Sequence, residues 1–137
     1  TSTGAARAAA EALPQLKGIF DGVSLRVPTI DVSLSDLTVL LRTKTTVDEI
    51  NEAFREAARS DRFNGILAVS DEPLVSADFI GNSASGIIDT GLTQVIDGDF
   101  VKVFSWYDNE WGYSNRLVEE VVMVGKSLER EPVGAAS

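Results

Sequence analysis

Between Val101 and Ser114 the hydropathy pattern changes its period within a few residues. Val101-Lys102-Val103-Phe104-Ser105-Trp106-Tyr107 reads as a strand, Asp108-Asn109-Glu110 is a polar interruption, and the residues beyond it carry apolar side chains at helical spacing. A chain with that switch is constrained to fold as strand, turn and helix in direct succession. The turn then presents a carboxylate, an amide and an aromatic where binding sites of layered α and β proteins often lie. The same residues also have a blander use, with both tryptophans and Tyr107 as core aromatics and Asn109 as a helix cap.

The other elements follow from the same two periodicities. Six alanines between Ala5 and Ala12 predict a first helix over 4–13, opened by Thr3 as N-cap and stopped by Pro14. Gly22–Val27 alternates small or apolar with polar residues up to Pro28 and predicts a strand. Val32–Arg42 predicts a longer one, with Val32, Leu34 and Asp36 opposite Ser33, Ser35 and Leu37, and with helices over one face. Thr46-Val47-Asp48-Glu49 has capping-box spacing, so a helix is expected over 46–60 with Val47, Ile50, Phe54, Ala57 and Ala58 as its buried stripe. Short strands are expected at 66–69, 86–89, 93–96 and 101–107, with a hairpin at Asp97-Gly98-Asp99. A last helix is expected over 110–126, with Gly125 and then 129–137 as a fraying end and tail. The expected class is α+β, a largely antiparallel sheet covered by helices, in one unit over 1–128.

Composition narrows the chemistry. A chain of 137 residues with 44% hydrophobic content is the size of one domain with a real core, and none of its apolar runs is long enough to cross a bilayer. The polar start Thr1-Ser2-Thr3-Gly4 lacks a signal-peptide pattern, so a cytosolic setting and no membrane partner are expected. A net charge of −9 opposes nucleic acid in bulk and still allows a local cationic pocket for a small anion. Absent cysteine removes thiolate chemistry, and absent histidine removes the usual base near neutral pH. No catalytic nucleophile or base is therefore assigned to the chain. No metal site is expected either, because Asp71-Glu72, Asp97 and Asp99 have turn spacing rather than that of a calcium loop. Gly125-Lys126-Ser127 is not the end of a phosphate loop, since Glu120 stands where its first glycine belongs.

Two segments invite an anion. Thr3 and Gly4 open a helix, where free N–H groups and the dipole favour negative charge, although a threonine there is also an ordinary cap. Arg26, ahead of Val27-Pro28, either meets solvent or pairs with an anion at the strand end.

Ser105-Trp106-Tyr107-Asp108-Asn109-Glu110-Trp111-Gly112-Tyr113-Ser114 resembles, residue for residue, a signature of phosphorylating glyceraldehyde-3-phosphate dehydrogenases. Thr1–Ala8 is similar to that family's Ser-Thr-Gly-Ala-Ala-Lys-Ala segment, and Leu25–Thr29 to its Arg-Val-Pro-Thr segment. Asp36-Leu37-Thr38, Gly65-Ile66-Leu67 and Val75–Gly81 extend the resemblance, in family order, to about Leu128. Ile30 departs from a second proline common in the family, and the tail has no counterpart.

The resemblance implies a role for each candidate residue. Asn109 would hold the nicotinamide carboxamide and Tyr113 would bracket the ring, while Thr3, Gly4 and Arg26 would bind inorganic phosphate and the substrate's phosphate. It implies an oxidoreductase that converts glyceraldehyde 3-phosphate to 1,3-bisphosphoglycerate, in glycolysis or carbon fixation. The expected cofactor is NAD, with NADP open because that choice lies in a nucleotide-binding half not contained here. A homotetramer, and a plastid as well as a cytoplasmic setting, are in keeping with the family. The family's Ser-Cys-Thr-Thr nucleophile segment, base histidine and glycine-rich half precede the position matching Thr1, so the chain reads as a C-terminal part, inactive alone. Two other readings stay open: a non-catalytic binding or assembly module of the same fold, and an erythrose-4-phosphate dehydrogenase.

Overall fold

The computed structural model of the chain describes residues 4–129. In chain order these form α1 (Ala5–Ala12), β1 (Ser33–Leu40), α2 (Val47–Arg59), β2 (Leu67–Ser70), β3 (Gly86–Asp89), β4 (Gln94–Ile96), β5 (Phe100–Tyr107) and α3 (Trp111–Glu129). Short 3-10 turns occupy Pro14–Leu16, Ser76–Phe79 and Thr90–Leu92.

Strand β5 organises the sheet. Its whole length pairs antiparallel with β1, from Leu40 opposite Phe100 to Ser33 opposite Tyr107. Its other edge is shared, antiparallel, by β4 over the first residues and by β3 at Ser105 and Trp106. β2 then adds parallel to β3, giving a mixed five-stranded sheet in the order β1-β5-β3-β2 with β4 beside β5. The 97–99 turn closes the β4–β5 hairpin as expected, and Asp97 and Gly98 both take positive φ there.

Alternation along β5 sorts the apolar residues into two cores. Val101 and Val103 face one side with Ile88, and Ile50 and Phe54 of α2 cover them. The capping box that starts α2 is present in full, Glu49 N–H donating to Thr46 Oγ1 at 3.3 Å and Thr46 N–H to Glu49 Oε2 at 2.9 Å. Trp106 and Ile87 face the other side with Val32, Phe79 and Ala84. There the Trp106 ring stacks on Phe79 at 5.4 Å, and its N–H donates to Asp89 at 3.0 Å. The rest of this second face, with Leu34, Leu40, Ile96 and Phe100, is open to solvent.

The fold is the expected α+β, and four expectations change in detail. Gly22–Val27 is irregular rather than a strand, with Val23 and Leu25 more than four-fifths exposed. Alternation makes a strand only where a ladder partner lies alongside, and no strand of the described residues does. β1 is an edge strand exposed on both faces, because α2 sits over β2, β3 and β5 instead. Gly4 occupies the N-cap of α1, without a side-chain cap bond, while Thr3 lies outside the described residues. α3 continues through Gly125 to Glu129. A single interior glycine costs a helix only about 1 kcal/mol, too little to end one whose neighbours favour it.

Candidate functional site

The strand-to-helix turn is built on Asp108, whose side chain is almost fully buried. Its Oδ1 accepts from the N–H groups of Trp111 at 2.7 Å and Glu110 at 3.0 Å, and its carbonyl accepts from Gly112 at 3.1 Å, which is how an N-cap residue holds a first turn. Oδ2 reaches across the fold to the N–H of Gly81 at 2.8 Å. Gly81 follows the Ser76–Phe79 turn at a φ of +79°, a conformation glycine adopts without cost. These N–H groups, that of Trp111 foremost, hold the Asp108 carboxyl below its ordinary pKa, against the upward pull of burial. Gly112 completes the seat. A Cβ there would stand 3.0 Å from the Ala84 carbonyl oxygen, so the start of α3 lies directly on the 84–85 backbone.

With Asp108 as the cap, Asn109 is free for something else. Its side chain is exposed, and its Oδ1 accepts from the Ser33 hydroxyl at 3.2 Å, across 76 residues of sequence. The amide oxygen is thus engaged by protein, while among the described residues both Nδ2 hydrogens are left to donate. Ser33 opens β1 directly after Val32, which is buried at a φ of +71°. A β-branched residue in the left-handed region is strained. Its N–H bond to the Asp31 carboxylate at 2.7 Å and its packing on Phe79 and Ala84 hold it there. Tyr113 follows Asn109 by one helical turn, with its side chain largely exposed. Trp111 is also half exposed, so of the two tryptophans only Trp106 is a core aromatic.

The anion candidates lie at the other end of the chain. Gly4 starts α1, and Arg26 is exposed on the irregular 22–27 segment. That segment begins beside α1, since a Cβ at Gly22 would meet the Ala6 Cβ at 4.0 Å. Sequence reasoning named Asn109 and Tyr113 and missed the residues that hold the turn. Asp108 followed by two free N–H groups was a readable cap signal, whereas the Ser33 contact depends on strand register and left no local mark.

The described residues thus form an α+β domain in which a built polar turn joins the sheet to the last helix. Residues 1–109 match the family described as glyceraldehyde 3-phosphate dehydrogenase, C-terminal domain, and the chain belongs to that family. It is 59% identical over 128 residues to the glyceraldehyde-3-phosphate dehydrogenase of Mycobacterium tuberculosis, covering 93% of this chain and 37% of that protein. The proteins of the same name from Streptomyces coelicolor and Zymomonas mobilis are 50% and 48% identical, each over 93% of this chain and 38% of the relative. The chain therefore spans little more than a third of the length of these relatives.

Proposed function

We propose that the chain is the C-terminal part of a phosphorylating glyceraldehyde-3-phosphate dehydrogenase and contributes its nicotinamide-amide contact and part of its phosphate sites. The observation that carries this is the Asp108–Tyr113 turn, in which a capped backbone presents an outward amide donor beside an exposed aromatic ring. Those residues suit one end of a nicotinamide cofactor, the carboxamide offering a carbonyl to Asn109 Nδ2. When bound, such a cofactor supplies hydride acceptance. Asn109 would hold the carboxamide so that one face of the ring meets the substrate, and Tyr113 would limit its tilt.

Thr3, Gly4 and Arg26 would orient phosphate, of the substrate and inorganic, close to the reacting carbon. With neither cysteine nor histidine, the 137-residue chain should produce no NADH by itself. NAD as cofactor, a homotetrameric state, a cytoplasmic or plastid setting and service in glycolysis or carbon fixation belong to the same reading. The test is NADH formation by the full-length protein, which should require both glyceraldehyde 3-phosphate and inorganic phosphate. Failure to respond to phosphate would overturn the proposal, and a faster reaction with erythrose 4-phosphate would move it to the related dehydrogenase.

A further inference from the structure

We propose that Ser33 is a positioning residue for cofactor recognition, holding the Asn109 amide in the orientation that turns its N–H groups to the cofactor. This rests on the assignment of Asn109 to the nicotinamide carboxamide. An unrestrained asparagine amide can turn about its last torsion and offer either its oxygen or its N–H groups. A carboxamide, which likewise has both, could then be gripped in two orientations, presenting opposite faces of the ring. With Oδ1 accepting the Ser33 hydroxyl at 3.2 Å, Asn109 keeps both Nδ2 hydrogens without a partner among the described residues, the orientation that recognises a carbonyl oxygen.

Three features point the hydroxyl at that amide. Ser33 sits opposite Tyr107 in the ladder, so β-sheet register brings it to within two residues of Asn109 along β5 and its turn. The left-handed backbone of Val32, buried in one cluster with Phe79 and Ala84, sets the angle at which the chain enters β1. On the far side, the three amides on Asp108 immobilise the backbone that carries Asn109. Strain in a buried valine beside a polar contact of this kind is the pattern of a preorganised site.

The test uses the full-length dehydrogenase and a double-mutant cycle. Ser33→Ala should raise KM for NAD roughly five- to tenfold, the worth of one neutral hydrogen bond, with KM for phosphate and the melting temperature unchanged. Ser33→Thr should restore the parent value. Asn109→Ala should raise KM for NAD further, and adding Ser33→Ala to it should then change nothing, since Ser33 acts only through the amide. An equal effect of Ser33→Ala with and without Asn109 would overturn the proposal, as would a parallel rise in the phosphate KM. A normal KM for NAD in Asn109→Ala would instead overturn the assignment of Asn109 on which it rests.

Discussion

Replacing Asp108 by alanine should destabilise the fold by about 3 kcal/mol. Oδ1 serves the Glu110 and Trp111 N–H groups at the start of α3, where water can replace part of the bonding, and losing such a cap costs about 1 kcal/mol. Oδ2 serves the Gly81 N–H from a side chain with 3% exposure, and stranding that donor costs a further 1–3 kcal/mol, roughly. Urea unfolding followed by tryptophan fluorescence is a suitable assay, because Trp106 and Trp111 flank the turn. With a urea slope of about 2 kcal/mol/M, the midpoint should fall by about 1.5 M at constant slope. Asp108→Asn keeps one acceptor oxygen without the charge and should lose about half as much. A shift of the alanine variant below about 0.3 M would refute the view that Asp108 ties the Gly81 turn to α3.

The same carboxylate makes the fold acid-sensitive. Its folded pKa lies below the ordinary 3.8, so its contribution is complete above that value and vanishes as pH falls through the folded pKa. In acid titrations the stability gap between the parent and Asp108→Asn should therefore close below about pH 4. At Val32 the usual order should reverse, Val32→Gly being more stable than Val32→Ala by about 1 kcal/mol, because both lose the buried side chain and only glycine releases the strain at φ +71°; an alanine variant at least as stable as the glycine one would contradict this. Gly112→Ala should cost about 1–3 kcal/mol although alanine is the better helix former, since its Cβ would press on the Ala84 carbonyl at 3.0 Å. Thermal melting checks that sign directly.

What could be read in advance follows from how local each signal is. The α2 cap is complete within Thr46–Glu49, and the 97–99 turn carries its own glycine, so both were legible from a few residues. β5 and the turn after it were legible for the same reason, the change of period falling inside one continuous segment. Gly22–Val27 misled because alternation describes a face to be covered and says nothing of a neighbour to pair with. For the site, Asn109 and Tyr113 stand in a contiguous motif, while the residue that orients Asn109 is 76 positions away and meets it only through the ladder. Positive φ at Val32 is likewise invisible, since valine is among the residues least expected there.

The β1–β5 ladder runs eight residues without a bulge, from Leu40 opposite Phe100 to Ser33 opposite Tyr107. Its length is therefore a spacer that determines where the serine arrives. One residue inserted or deleted in either strand would move Ser33 by about 3.3 Å along the pair and turn its side chain to the opposite face. Descendants of this chain are free to exchange the side chains along the ladder, as the exposure of Leu37, Val39 and Leu40 allows. They can change in length only outside it, in the 41–46 connection or at the 97–99 turn.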